Sequence, residues 1–369
     1  MIITAKRIIV GDGHTVYLDY GLLVGPDGRI AALGKRSDLL RQYPEAKILS
    51  YPDCTLLPGL IDLHAHLGHY APVSRQWQNP FMLAYITQHH ANKALRYGVT
   101  TLRDIASPHP VTQTMMTAAE MGYMTLPRIF PCDPGLCITG GHGSAFGLGE
   151  GVEEVDGPWE ARAAVRRRIK SGCKWIKVMT SHRKDLCEFT FEELSAIVDE
   201  CHRLGGKVAA HASTKPAIQA CIDAGVDTIE HSTLMSVEQA EAMRDKGIAW
   251  IPTILPYVEL YEGARSAPPS LRQQENLRFY EETMEVYHTR FLPLAQTGIL
   301  IGAGTDLVLA DSGETDPIVA RELQYMVECG FNCLQAIQAG TANGAKILGL
   351  EDVTGQIMPG LEEIGRAHV

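Results

Sequence analysis

The chain has no uninterrupted apolar run of roughly eighteen residues, so its hydropathy argues against a membrane-spanning helix. Its N-terminus, MIITAKRIIVGDG, has neither a long apolar core nor a small-residue cleavage site, and no secretory signal is expected. Positive charge is scarce. Thirty-three Lys and Arg against 43 Asp and Glu leave a net charge of −10, which argues against nucleic acid or an anionic membrane as partner. Nine cysteines, an odd number, include no CxxC pair, so they do not read as a disulfide framework. They read instead as reduced, mostly buried thiols of a cytoplasmic protein. Low-complexity segments and short-period repeats are also missing. What is present, 45% hydrophobic and 21% charged residues over 369 positions, suits two domains or one large α/β barrel with an appendage.

Residues 1–57 read as short strands joined by tight turns. RIIVGDG, YGLLVGPDGRIAALG and KILSYPDCTLLPG carry β-branched or apolar runs broken by Asp-Gly signals, with Pro26-Asp27-Gly28 at a hairpin tip. From Leu60 the rhythm changes. Short apolar strands (GLIDLHAH, VTTLRDI, RIFPCD, WIKVMTS, KVAAHAS, TIEHSTL, AWIPTIL and LIGAGTD) alternate with helical stretches, several ending in glycine. Eight such strands predict a (β/α)8 barrel of the TIM type over residues 58–350, with residues 351–369 returning to the small, sandwich-like β-domain. A longer excursion over residues 257–290 follows the seventh strand, where insertions shape substrate pockets.

Chemistry gathers at the strand ends. In GLIDLHAH, strand alternation points His64 and His66 the same way, and two imidazoles on one face can share one metal ion. Alone, such a pair is a weak signal. His211 in VAAHAS and His231 in TIEHST each close an apolar strand, twenty residues apart. Asp306 ends IGAGTD, and Lys177 sits inside the apolar run WIKVMTS. Any one of these, taken singly, is better explained as a satisfied core or surface polar group. Together they fall where a barrel brings its strand ends to one mouth.

In these elements the chain resembles the amidohydrolase superfamily of metal-dependent hydrolases: PGLIDLHAH, the lysine of WIKVMTS, single histidines on two successive strands, and GTD on the eighth. GLCITGGHGS at residues 135–144 is similar to the dipeptidase-like branch, which includes prolidases and Xaa-Arg dipeptidases and is related to imidazolonepropionases. The resemblance implies two divalent metal ions, zinc foremost, with manganese and cobalt also compatible. His64, His66 and Asp306 would hold the first ion and His211 and His231 the second, with a carboxylated Lys177 bridging them. An amine buried in apolar surroundings has a lowered pKa and becomes nucleophilic enough to take up CO₂. The implied reaction is attack of a metal-bridging hydroxide on the C–N amide bond of a small substrate, a dipeptide or N-acyl amino acid. Asp306 would move the proton. A homo-oligomer is expected, with a small-molecule or dipeptide substrate as its partner.

On the substrate side the resemblance assigns His142 to the substrate carbonyl or oxyanion. Tyr257 could hydrogen-bond substrate or simply pack; His69 and Tyr70 could line the pocket or support it. Arg183 could meet a carboxylate or be a solvated surface residue. At the C-terminus TGQIMPGLEE reaches the turn from which the superfamily continues into further β-domain strands, and the chain stops nine residues after its Gly360. The closing IGRAHV matches the translation of a common sequencing adapter, so these residues are expected to be foreign and the C-terminal strands cut short. Two alternatives stay open: a cyclic-amide hydrolase or deaminase of the same superfamily, and a catalytically silent barrel.

Overall fold

The Asp-Gly turns of the first fifty residues separate five strands. In the computed structural model, which describes residues 1–68, 79–108, 110–132, 134–144, 151–181, 186–266, 271–308 and 318–362, these are β1 (Ile2–Ile9), β2 (Val16–Leu18), β3 (Tyr20–Val24), β4 (Ile30–Lys35) and β5 (Ile48–Leu56). His69, Tyr70, Arg183 and the closing IGRAHV lie outside the described residues. β1 is the hub, antiparallel to β2 and β3 and parallel to β5. The expected β3–β4 hairpin forms, and Gly28 at its tip takes φ 76°, a value side-chain-bearing residues rarely adopt. Ile3, Ile8, Leu22, Val24 and Ile30 make a small core that Ile357 joins from the far end of the chain. Backbone bonds from Ile357 to Val10 (2.9 Å) and from Ile30 to Leu361 (2.9 Å) hold that returning segment. A short helix, α1 (Arg36–Gln42), follows β4 where the sequence pattern had shown only strands and turns.

The following strands are all parallel. In chain order the elements are β6 (Leu60–His66), α2 (Pro80–Arg96), β7 (Val99–Asp104), α3 (Val111–Glu120), β8 (Arg128–Pro131), β9 (Gly135–Cys137), β10 (Val152–Glu154), α4 (Pro158–Ser171), β11 (Trp175–Met179), α5 (Phe191–Arg203), β12 (Lys207–Ala212), α6 (Lys215–Ala224), β13 (Thr228–His231), α7 (Val237–Lys246) and β14 (Ala249–Ile251). One sheet runs β6-β7-β8 and another β9-β11-β12-β13-β14. β8 and β9 are two halves of the third barrel strand, β8 pairing back to β7 and β9 forward to β11. The glycine-rich stretch 300–306 closes the ring. It bonds Trp250 on one side (Trp250 N to Leu300 O, 2.8 Å) and β6 on the other (Leu63 N to Ala303 O, 2.9 Å). The result is an eight-stranded TIM-like barrel.

Its strands are apolar on both faces because both are covered. Ile61, Leu63, Trp175, Met179, Ala209 and Ile251 fill the lumen. Ile176, Val178, Val208 and Ile229 face outward to Val165, Ile197 and Ile218 of the helices. Thr190 and Ser236 start α5 and α7 with capping boxes, while Gly172, Gly225 and Gly247 end α4, α6 and α7 in the left-handed conformation.

The excursion after the seventh strand is helical, formed by α8 (Ile254–Ser266) and α9 (Leu271–Ala295). AWIPTIL, read as a strand, stays extended only to Ile251. Thr253 turns left-handed (φ 48°), and the amides of Ile254 and Leu255 donate to the buried Glu322 carboxylate at 2.9 and 2.8 Å, starting a helix instead. Beyond the closing stretch come β15 (Leu307–Val308), which extends the first sheet along β6, and the helices α10 (Ile318–Glu328), α11 (Cys333–Ala339) and α12 (Ala342–Leu348). Among the described residues no helix is long and apolar enough to cross a membrane.

Candidate metal centre

Backbone strain marks the barrel mouth. Among the described residues six non-glycine residues have positive φ, and five (Ala106, His231, Ser232, Thr253 and Asp306) stand at the C-terminal ends of barrel strands. Such conformations cost about 1–3 kcal/mol each and persist where surrounding structure enforces them, often at functional sites. On β6 the register against β7 shifts between Asp62 and Ala65. That irregularity lets the strand serve the lumen with both parities: Ile61 and Leu63 join the inner core, yet His64 and His66 also reach the mouth.

His64, His66 and Asp306 bring three ligand atoms within 4.8 Å of one another. Asp306 Oδ1 lies 3.2 Å from His64 Nε2 and 2.9 Å from His66 Nε2. The backbones fix that spacing. Asp306 N donates to His64 O (2.7 Å), and the buried Asp62 carboxylate accepts from His64 N (3.1 Å), Thr305 N (3.1 Å) and Thr305 Oγ1 (2.7 Å), clamping the first strand to the eighth. His231 approaches from β13, its Nδ1 3.8 Å from Asp306 Oδ2 and 2.6 Å from Thr253 Oγ1, with its carbonyl held by the Trp250 indole (3.0 Å). His211 sits edge-on to His231 (ring centroids 4.5 Å), and His142 stacks flat on His211 at 4.0 Å. Tyr257 on α8 meets His231 edge-on at 6.0 Å and hydrogen-bonds Ser213. Eight of the residues singled out in the sequence, with Lys177 on β11 among them, thus lie at one mouth.

Their charges are tuned together. Burial alone would raise the Asp306 carboxyl, but the surrounding imidazoles of His64, His66 and His231 hold it well below the usual range. Burial pushes His211 and His231 well below the ordinary imidazole value, reinforced at His211 by neighbouring His142 and at His231 by His64 and Lys177. Lys177, 1% exposed on the inner face of β11, is lowered by burial against the opposing pull of Glu230 and Asp306.

A model of the amidohydrolase family matches residues 55–362. This chain belongs to the amidohydrolase family. Ochratoxinase from Aspergillus niger is 30% identical over 399 aligned positions, covering 98% of this chain and 79% of the relative. Superposed on the crystal structure of A. niger ochratoxinase, the chain has a TM-score of 0.82 at 27% identity, covering 98% of itself and 87% of that chain. A Xaa-Pro dipeptidase with bound methionine in its active site gives the same TM-score and identity, covering 98% and 91%. The chain is accordingly a hydrolase of carbon–nitrogen bonds, on the dipeptidase-like side of its superfamily.

Members of this family generally bind divalent metals, and the amidohydrolase mouth fits that requirement on its own geometry. Four imidazoles, a carboxylate held ionised and a buried amine converge there, and among the described residues Lys177 Nζ has no hydrogen-bond partner. A buried ammonium without a partner is costly, so this amine suits a further ligand better than a structural role. Four residues that the motif reading passed over support the site. Arg103 and Glu230 lie under His64, Thr253 contacts His231, and Glu188 Oε2 accepts the His142 amide at 2.8 Å. Only Glu230, next to His231, stood close enough to a motif to be noticed.

Proposed function

We propose that this amidohydrolase is binuclear and cleaves the amide bond of a dipeptide or N-acyl amino acid. The observation that carries the reading is the fully buried Lys177 amine, without a hydrogen-bond partner among the described residues, beneath the four histidines and Asp306. His64, His66 and Asp306 would hold one ion and His211 and His231 the other, with Lys177 as a carbamate between them. When bound, the ions supply Lewis acidity and lower the pKa of a water.

The chain's own groups divide the remaining work. Asp306 Oδ1 is shared by His64 and His66, which leaves Oδ2 to take a proton and return it to the leaving nitrogen. The His142 ring, stacked outermost on His211 and tied through its amide to Glu188, faces the substrate carbonyl oxygen. Tyr257 closes the side of the mouth next to His231 and contacts the substrate from α8. The dipeptidase and ochratoxinase neighbours support an amide substrate with a free or blocked amino-acid half.

The test is a screen of dipeptides and N-acyl amino acids on metal-reconstituted protein, with Asp306→Asn as control and metal counted per chain. Activity on such substrates with about two ions per chain supports the proposal. One ion favours the deaminase-like alternative and none a silent barrel. Full activity in Asp306→Asn would overturn the assignment of the proton carrier.

A further inference from the structure

Beneath the histidines lies a charged chain of three side chains, each no more than 1% exposed: Arg103 on β7, Glu230 on β13 and His64 on β6. Arg103 Nη2 donates to Glu230 Oε1 at 2.8 Å, and Glu230 Oε2 meets His64 Nδ1 at 2.7 Å. The guanidinium is itself fixed. Its Nε donates to Leu63 O (2.7 Å), its Nη1 to Thr228 Oγ1 (3.1 Å), and its plane lies over the Trp175 ring at 4.4 Å. The Thr228 hydroxyl in turn donates to Glu230 Oε1 at 2.5 Å. Glu230 therefore has one oxygen saturated from below and one left to face the imidazole.

A carboxylate can only accept. The proton between Glu230 and His64 must then sit on Nδ1, which leaves Nε2, the atom pointing at Asp306, as the nitrogen that can give its lone pair to a cation. The partners of the other two histidines differ in kind. His231 Nδ1 meets a threonine hydroxyl, which can donate or accept, and His211 Nε2 meets the carbonyl of Ser181. Of these three histidines, His64 alone is oriented by a buried ion pair. Holding such a pair inside a barrel costs desolvation that apolar residues of similar size would avoid.

We propose that Arg103 and Glu230 are positioning residues that fix the tautomer and ring orientation of His64, so that Nε2 is presented to a divalent cation at the His64–His66–Asp306 corner. The inference rests on the metal reading above only for the cation; the contact between Glu230 and His64 Nδ1 is present in the metal-free chain. Glu230→Gln breaks the arrangement in a defined way. Its amide group must either face Arg103 donor to donor or turn toward His64, where it would force the ring proton onto Nε2. Adding Arg103→Met removes the opposing donor and lets the amide oxygen face His64 again.

The decisive measurements are ¹⁵N shifts of the His64 imidazole in metal-free protein at alkaline pH and zinc affinity by chelator competition. Wild type should show Nδ1–H. Glu230→Gln should gain the Nε2–H form and lose roughly 10–100-fold in zinc affinity, the range typical for such orienting partners. The double variant should recover the tautomer and part of the affinity. Arg103→Lys, which keeps the charge but not the fork, serves if Glu230→Gln does not fold, and should weaken zinc at least threefold. Nε2–H in the wild type, or zinc affinity within twofold of wild type in folded Glu230→Gln or Arg103→Lys, would overturn the proposal. If wild type binds no zinc but shows the Nδ1–H tautomer, the metal reading fails and the positioning of His64 stands.

Discussion

The two glycines of IGAGTD make a quantitative claim about the site. The eighth strand passes so close to β6 that a Cβ on Gly304 would lie 2.6 Å from Ile251 Cγ2, 2.8 Å from His64 Cβ and 3.1 Å from His64 N. Ordinary carbon contacts need about 3.5 Å or more, so a methyl there overlaps its neighbours by roughly 0.7–0.9 Å. His64 cannot yield. Its amide is bound to Asp62, its carbonyl to Asp306 N, and its ring to Glu230. The strain must move the eighth strand, and Asp306 is two residues further along it.

Overpacking of this kind costs about 1–3 kcal/mol, which for a chain of this size lowers the melting temperature by roughly 1–4 °C. A ligand displaced by more than about 0.2 Å also leaves good coordination geometry, so metal affinity should fall roughly tenfold or more. Gly304→Ala is measured by scanning calorimetry of metal-free protein and by chelator competition. Gly263→Ala is the control: it is helical, with open space where its Cβ would go, and should be neutral or slightly stabilising. If Gly304→Ala melts with wild type and binds metal equally well, the close approach of the eighth strand does not set the position of Asp306.

Two other buried groups make separate predictions. Lys177→Met removes an unpartnered buried amine, so the metal-free protein should melt at or above the wild-type temperature while its metal content drops. Because the folded Lys177 amine lies below its ordinary value, wild-type stability falls as pH drops through the ordinary lysine value of about 10.4, and the methionine variant should lose that dependence in alkaline denaturant titrations. Burial raises the Glu322 carboxyl to about 8, although the amides of Ile254 and Leu255 oppose the rise. Between roughly pH 4.3 and 8 the folded state keeps a proton that the unfolded chain has released, so stability falls as pH rises through that window. Urea titrations from pH 5 to 9 should show this decline in wild type and not in Glu322→Gln; equal slopes would refute it.

The barrel was legible because its periodicity is simple. Apolar runs of four to seven residues alternate with glycine-capped helices, and strands covered on both faces cannot be mistaken for surface strands. The positions of His64, His66, Lys177, His211, His231 and Asp306 at strand ends could be read from the same rhythm. The end of the seventh strand could not. Pro252 and Ile254 continue an apolar pattern, and only Glu322, 68 residues later, turns those amides into the start of a helix. Long-range partners of this kind leave no local signal.

Strand alternation brought His64 and His66 onto one face but cannot explain why they share the lumen with Leu63, or why His231 joins a site whose strand already points Thr228 and Glu230 inward. On β6 a register shift provides the extra turn; on β13 two consecutive left-handed residues, His231 and Ser232, provide it. Both devices break the two-residue repeat one step before the mouth. A barrel that kept strict alternation could offer each strand's last inward position to either the packed floor or the metal, but not to both. Breaking the repeat lets Leu63 and Glu230 complete the floor while His64 and His231, each adjacent in sequence, reach the mouth. Strain at these strand ends therefore follows from stacking a charged, packed floor directly beneath the histidines, and it should persist in the metal-free protein.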